Sequence, residues 1–259
     1  MDKIILTYRS KLKTNYTFKM PRKTLMHNGT LWLSSFDDNC IFLFDPETEM
    51  LKGTVSFPNL HNPRGMFPKG KYIYIACYGD PMGKVICLDS ETLKEIFYFE
   101  VPRPRGLVIL ENEIFVTEVM EHRVSVFDLN GNLMRYIGTG ILQCPRGIAI
   151  DNSGNIVIAD SANNRVVWFN PDGRFLNSSD GLLSPNDVVC YNNNIFVSEW
   201  FGKCIKIFNA STGKFGKSYT VPYESGFLSM FSISDDRLFI SDDSGCVHVF
   251  NVNNSMLII

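Results

Sequence analysis

The chain has 259 residues with 45% hydrophobic content, and its 25 basic and 27 acidic residues leave a net charge of −2. This balance argues against DNA or a charged membrane surface as the partner, because either would favour a strongly basic protein. No segment approaches the roughly 18 apolar residues of a membrane span, and the apolar run at residues 4–6 is too short for a secretion signal. Seven scattered cysteines without CxxC pairs suit reduced thiols, so we expect a cytoplasmic protein.

The N-terminal residues 1–20 precede the first clear repeat. Residues 12–18 (LKTNYTF) resemble residues 51–57 (LKGTVSF), and both segments lie just ahead of a proline-arginine pair. This likeness predicts that residues 12–18 form a strand that pairs with the last repeat and closes a ring. Residues 255–259 compete for the same position, and the sequence does not decide which terminus supplies the closing strand.

Prolines then recur at intervals of 37 to 42 residues. Each one precedes four short apolar runs that are separated by turn residues rich in glycine, asparagine and aspartate. In the fourth copy the first three runs are residues 145–150, 156–160 and 165–169, and a fourth begins near Phe175. The repeat starts are Pro21, Pro63, Pro104, Pro145, Pro185 and Pro222.

The apolar runs differ in pattern within each copy. Second runs such as residues 195–197 are apolar without alternation, as expected of a strand covered on both faces, whereas third runs such as residues 205–207 alternate. Four-stranded units repeated about every 40 residues are typical of propeller blades. The sequence therefore predicts an all-β fold with one domain over residues 1–259, a six-bladed β-propeller with four antiparallel strands per blade.

The fourth copy reads PRGIAIDNSGNIVIADSANNRVVWFNPDGRF and closely resembles the NHL repeat, with its Pro-x-Gly start, G-N turn, Asp-ending strand and N-N-R loop. The chain is thus similar to NHL-repeat propellers, and the resemblance implies a platform that binds proteins or RNA. It is more distantly similar to six-bladed propellers of the sugar-lactonase (regucalcin-like) type, and related propellers include streptogramin and amidating lyases. Fold alone does not choose among these functions.

The residue after each repeat proline begins the innermost strand and should ring the channel mouth on one face. Guanidinium groups at one register suit a phosphate or carboxylate ligand. In the alternative interpretation Arg105 pairs with Glu118 and Arg146 pairs with Asp160, the acids that end the next strand out. Arg22 and Arg64 have no such partner, because Ser35 and Cys77 stand at that position in their blades. The six ring positions are Arg22, Arg64, Arg105, Arg146, Asn186 and Tyr223.

Further residues of the same face extend this candidate site. Lys84 precedes a third strand, and the aromatic residues Phe36, Trp200 and Phe201 lie in loops of this face. The leading hypothesis is a non-enzymatic binding or scaffold propeller that holds an acidic or phosphorylated protein segment. RNA is the weaker partner, because RNA affinity depends on phosphate neutralisation and acids outnumber basic residues. We expect no cofactor and no catalytic residues in this interpretation.

The alternative hypothesis is a calcium-dependent lactonase or hydrolase that acts on a small molecule in the channel, so enzymatic activity stays undecided. Asn186 lies in a Pro-Asn-Asp segment that looks like the asparagine ligand segment of the sugar lactonases. Calcium needs several oxygen ligands, including carboxylates. The remaining candidate ligands at this face are Glu118, Glu199 and Asp242.

Overall fold

A computed structural model describes residues 3–12, 16–221 and 226–255 of the chain. Strand β1 spans Lys3–Lys11. Blade one follows with β2 (Pro21–His27), β3 (Thr30–Ser35), β4 (Cys40–Phe44) and β5 (Leu51–Val55). Blade two contains β6 (Pro63–Lys69), β7 (Tyr72–Cys77), β8 (Met82–Asp89) and β9 (Lys94–Pro102). Blade three contains β10 (Pro104–Leu110), β11 (Glu113–Glu118), β12 (Arg123–Asp128) and β13 (Leu133–Ile137).

The second half of the chain repeats this order. Blade four contains β14 (Pro145–Ile150), β15 (Ile156–Asp160), β16 (Arg165–Phe169) and β17 (Phe175–Ser179), with a 3-10 turn at Ser161–Asn163. Blade five contains β18 (Pro185–Tyr191), β19 (Asn194–Glu199), β20 (Cys204–Asn209) and β21 (Phe215–Thr220). Blade six contains β22 (Leu228–Ser234), β23 (Arg237–Asp242) and β24 (Val247–Ser255).

These strands form six antiparallel four-stranded sheets, which confirms the predicted six-bladed propeller. The innermost strands β2, β6, β10, β14, β18 and β22 contact one another in sequence and enclose the central channel. Apolar side chains of adjacent blades form the core, as where Phe115 of blade three packs in one cluster with Phe169 of blade four. Among the described residues, no helix has the length and apolar character to cross a bilayer.

The N-terminal strand closes the ring, as predicted, but it uses different residues. Strand β1 pairs with β24 from Lys3 opposite Ser255 to Lys11 opposite His248, and so supplies the outer strand of blade six. The prediction that residues 12–18 form this strand was wrong. Residues 3–11 fit better because Ile4 and Leu6 alternate into the core beside Phe250, whereas Phe18 packs in blade one.

The C-terminal residues do not compete for this position within the described chain. Ser255 ends β24, which is the third strand of the same sheet and pairs with β1 rather than replacing it. Residues 256–259 lie outside the described residues.

The sixth innermost strand also differs from its predicted start. It begins at Leu228, which lies opposite Asp242 just as Pro185 lies opposite Glu199. Among the described residues, the ring position of blade six is therefore Ser229. Pro222 and Tyr223 lie outside the described residues.

Candidate anion-binding site

A register shift near the start of each innermost strand positions the ring residues. In blade two the regular pairing of β6 with β7 breaks between Pro63 and Met66, and in blade three it breaks between Pro104 and Leu107. Such an irregularity releases the intervening residues from the ladder and redirects their side chains. The arginine after each proline is thus free to turn to the channel mouth. We call Arg22, Arg64, Arg105 and Arg146 the arginine layer.

Glycine follows the arginine in blades two to four because the neighbouring innermost strand lies too close for a side chain. A Cβ atom on Gly65 would lie 2.6 Å from the carbonyl oxygen of Arg105. A Cβ atom on Gly106 would lie 2.8 Å from the carbonyl oxygen of Arg146. The Pro-Arg-Gly triplet therefore brings successive arginines together around the channel.

The predicted pairing of arginines with strand-ending acids was wrong. Glu118 accepts from Arg123 Nε at 2.7 Å, and Asp160 accepts from Arg165 Nε at 2.8 Å. Both partners begin the third strand of the same blade, directly opposite the acid in the ladder. Arg105 and Arg146 are therefore left without a carboxylate in their own blades.

The arginine layer bonds instead to neutral groups from other blades. Arg105 Nη2 and Arg146 Nη1 both donate to Asn186 Oδ1, the latter over 3.1 Å. Arg22 Nη1 donates to Ser229 Oγ at 3.1 Å. No arginine of this layer has a carboxylate of the described residues within 4 Å, and the Nε atom of each is buried without a hydrogen-bond partner there.

Burial and mutual repulsion destabilise the charged forms of these four arginines. Burial lowers the pKa of Arg22 to about 10 and that of Arg64 to about 9, and the nearby guanidinium charges act in the same direction. Burial lowers the pKa of Arg105 well below its usual range, and the charges of Arg64, Arg146 and Arg22 lower it further. Guanidinium groups still remain protonated at neutral pH. The site therefore carries concentrated positive charge before any ligand arrives.

Aromatic rings surround the arginine layer. The Arg64 guanidinium carbon lies 4.6 Å from the ring centroids of both Phe36 and Tyr78. Trp200 stacks on Phe227 with centroids 5.3 Å apart, and the Arg146 guanidinium lies 5.8 Å from Trp200. Such cation–π contacts orient the arginines without neutralising them.

Sequence reasoning named Phe36 and Trp200 but missed Tyr78 and Phe227. A signal for Tyr78 was present, because it follows the last residue of a second strand just as Phe36 and Trp200 do. Phe227 directly precedes the sixth innermost strand, whose start was misplaced.

Lys84 does not join the arginine layer. Its ammonium group donates to Asn59 Oδ1 at 3.2 Å and lies 4.5 Å from the Tyr98 ring centroid on the outer part of blade two. Lys84 lies in the third strand of its blade, too far from the channel for its side chain to reach the innermost register. Phe201 is 68% exposed and meets Phe227 edge-on, so it extends the aromatic rim outward.

The four candidate metal ligands are not assembled around one point. Asn186 lies between two arginines, and Glu118 bonds Arg123 and Ser125. Glu199 pairs with Lys206, and Asp242 pairs with His248 at 2.8 Å. Among the described residues, no group of three or more His, Cys, Asp or Glu side chains is placed to hold a metal ion.

The comparison with known families bears directly on this face. Residues 142–169 match the NHL repeat family, and this segment contains Arg146 together with the Asp160–Arg165 ion pair. The fourth blade of this propeller thus carries an NHL repeat.

Curated relatives of this chain match it over short segments. The protein brain tumor of Drosophila melanogaster is 34% identical over 76 residues, which are 28% of this chain and 7% of that protein. The B-box type zinc finger protein ncl-1 of Caenorhabditis elegans is 36% identical over 55 residues, 21% of this chain and 6% of that protein. The matched part of the chain thus spans less than a tenth of each relative.

A solved streptogramin B lyase structure superposes on this propeller with a TM-score of 0.71, covering 96% of this chain and 98% of that one. The two sequences are 14% identical, so this likeness shows the propeller fold alone.

Proposed function

We propose that this propeller is a binding platform whose arginine layer holds an acidic or phosphorylated segment of a partner protein. One observation carries the proposal: four guanidinium groups converge at one channel mouth, none has a carboxylate of the described residues within 4 Å, and each keeps an unbonded Nε. A ligand anion would supply the missing acceptors through charge-assisted hydrogen bonds.

The shape of the site favours a short anionic group over an extended polyanion. Asp37 and Asp243 lie near enough to Arg22 to raise its pKa, and these charges would repel a continuous phosphate backbone that crosses the mouth. The rings of Phe36 and Tyr78 hold Arg64 between them, so they are not free to stack on nucleic acid bases. A single phosphoryl group or a pair of carboxylates needs neither a long basic track nor free rings.

Fluorescence anisotropy with labelled peptides tests this proposal. The probes are a serine-phosphorylated peptide, its unphosphorylated twin, a glutamate-rich peptide and a single-stranded RNA of equal charge. Each is titrated with the wild type, with Arg64→Gln/Arg146→Gln and with the control Arg174→Gln. Arg174 is exposed in the β16–β17 turn on the opposite face, so its loss changes net charge without touching the site.

We expect the phosphorylated or glutamate-rich peptide to bind at least tenfold more weakly to the double variant, and the control to bind like the wild type. That loss corresponds to removing one or two hydrogen bonds to charged groups, about 1.5–3 kcal/mol each. A change of less than threefold in the peptide affinity of the double variant would show that the arginine layer is not part of the binding site. Tighter binding of the RNA than of either anionic peptide would indicate that the partner is a nucleic acid and not a protein.

A further inference from the structure

An exposed apolar patch adjoins the arginine layer where blades five and six meet. Phe201 is 68% exposed and Leu183 is 56% exposed, although both carry large apolar side chains. Beside them Trp200 and Phe227 are only partly covered. Exposed apolar residues that are scattered singly are ordinary in folded proteins, whereas a contiguous patch indicates a binding surface. We call Leu183, Trp200, Phe201 and Phe227 the apolar corner.

Backbone hydrogen bonds and ring contacts join the members of the apolar corner. Trp200 N donates to the carbonyl oxygen of Ser184 at 3.0 Å, which places the Leu183 segment beside the loop between β19 and β20. The Trp200 ring lies nearly parallel to the Phe227 ring, at an interplanar angle of 12°, and the Phe201 ring meets Phe227 at 85°. The rings therefore form two walls at right angles, and the wall made by Phe201 faces solvent.

The apolar corner is continuous with the arginine layer through Arg146. The guanidinium carbon of Arg146 lies 5.8 Å from the Trp200 ring centroid. Arg146 Nη1 donates to Asn186, whereas Arg146 Nη2 is not buried and bonds to no side chain or backbone group of the described residues. An anionic group that bonds to Arg146 Nη2 therefore brings the chain that carries it next to Trp200.

The charges beside the apolar corner balance one another. Asp243 Oδ1 accepts from Phe227 N at 2.6 Å, and the Lys203 ammonium group lies 5.2 Å from the Phe227 ring centroid. A second phosphate of a nucleic acid would meet no surplus positive charge here. A neutral apolar side chain needs none, so the corner suits a peptide segment with one anionic group and an apolar residue nearby.

We propose that the apolar corner selects the partner segment by binding an apolar side chain two residues from the anionic residue. This inference rests on the proposed function, because the anion held by the arginine layer fixes the register of the segment. In an extended segment, side chains two residues apart lie on the same side and about 7 Å from each other. That spacing is close to the 5.8 Å between the Arg146 guanidinium and the Trp200 ring. A side chain one residue away points to the opposite side and misses the corner.

Fluorescence anisotropy with four serine-phosphorylated peptides tests the inference on the intact chain. The peptides share an alanine background. One carries no leucine, and the others carry a single leucine two residues before, two residues after or one residue after the phosphoserine. We expect one of the two-residue peptides to bind about tenfold more tightly than the alanine peptide, since the corner removes the apolar surface of leucine from water. The one-residue peptide should bind like the alanine peptide.

Phe201→Ser tests the surface itself, because a ring so exposed contributes little to the fold. This variant should bind the leucine and alanine peptides equally, and its affinity for the alanine peptide should stay within about twofold of the wild type. Phe215→Ser is the matched control. It removes a ring that is 56% exposed on the outer strand β21 of the same blade, and it should keep the gain from leucine.

The outcomes separate this inference from the proposed function. Equal affinity of the wild type for all four peptides, or a gain from leucine that survives Phe201→Ser, would overturn the inference and leave the arginine layer as the anion site. A leucine peptide that binds Arg64→Gln/Arg146→Gln as tightly as the wild type would overturn it too, because the anion would then fix no register. Binding of none of the peptides would overturn both proposals. A single-stranded RNA that binds more tightly than every peptide and is weakened by Phe201→Ser would assign the apolar corner to a base and not to a side chain.

Discussion

The arginines of this chain have two different roles, and their hydrogen-bond partners distinguish the two groups. Arg123 and Arg165 each neutralise a buried carboxylate that lies opposite them in the same sheet. Arg64 and Arg105 bond only to neutral groups or contact aromatic rings among the described residues. Arginines of the first kind neutralise an acid within their own blade, whereas those of the second kind repel one another at the channel mouth. Replacing an arginine of the second kind should therefore raise the free energy of unfolding and weaken the binding of an anion.

Arg64→Met tests this opposition. We expect the free energy of unfolding of the ligand-free protein to rise by about 0.5–1 kcal/mol, because a partly buried, repelled cation is replaced by an apolar chain that can keep packing on Phe36 and Tyr78. Binding of the anionic peptide should weaken about tenfold. Urea denaturation and anisotropy measure the two quantities. Arg174→Met is the matched control and should change neither, while a destabilised Arg64→Met would show that Arg64 supports the fold.

Residue partners mark the limit of what the sequence could predict. Antiparallel connectivity was enough to place the four arginines at one channel mouth. Their partners could not be predicted, because Asn186 belongs to blade five and reaches Arg105 and Arg146 across the ring. Reasoning within one blade offered only Glu118 and Asp160, and the third strand had already satisfied both. Such contacts between blades depend on the diameter of the ring, which the repeat period of the sequence does not specify.

The positions of the strands were predicted more accurately than the side-chain contacts between blades. The proline period found five of the six innermost strands, since a proline precedes the same irregularity each time. It failed in blade six, where Leu228 replaces the proline. A second spacing was available: Glu118 lies fourteen positions after Pro104, and Asp242 lies fourteen positions after Leu228. The strand-ending acid is therefore the better guide to a blade whose proline is missing.

Strand β1 joins the two ends of the chain, so it should govern stability without governing binding. Leu6 is buried against Phe250 and Val252, whereas Thr7 of the same strand is exposed. Leu6→Ala should lower the free energy of unfolding by about 2–4 kcal/mol, as expected for a truncated core leucine. Thr7→Ala, the matched control, should lower it by less than about 0.5 kcal/mol.

Chemical denaturation measures both variants of β1. Anion affinity below the unfolding transition should stay within twofold of the wild type for each, because the arginine layer belongs to the innermost strands of blades one to four. Equal, small losses of stability in the two variants would mean that β1 does not fasten the ring.

The whole ring is needed to build the arginine layer. Blades one to four each supply an arginine, blade five supplies Asn186, and blade six supplies Ser229. No single blade or adjacent pair reproduces the site. A ligand that binds there binds the closed ring and not the unfolded chain, so its affinity must appear as global stability.

Thermal unfolding of the wild type with the phosphorylated peptide checks this linkage. At a free concentration of 100 Kd the expected stabilisation is about 2.7 kcal/mol, which corresponds to a rise in Tm of roughly 5–10 °C for a chain of this size. Ionic strength is held constant with sodium chloride, because screening alone changes the repulsion among the arginines. Arg64→Gln/Arg146→Gln should show at most about half that rise at the same peptide concentration, because binding weakened tenfold leaves a stabilisation of about 1.4 kcal/mol. An equal rise in both proteins would mean that the peptide stabilises the ring from another surface, and the arginine layer would then have no part in binding it.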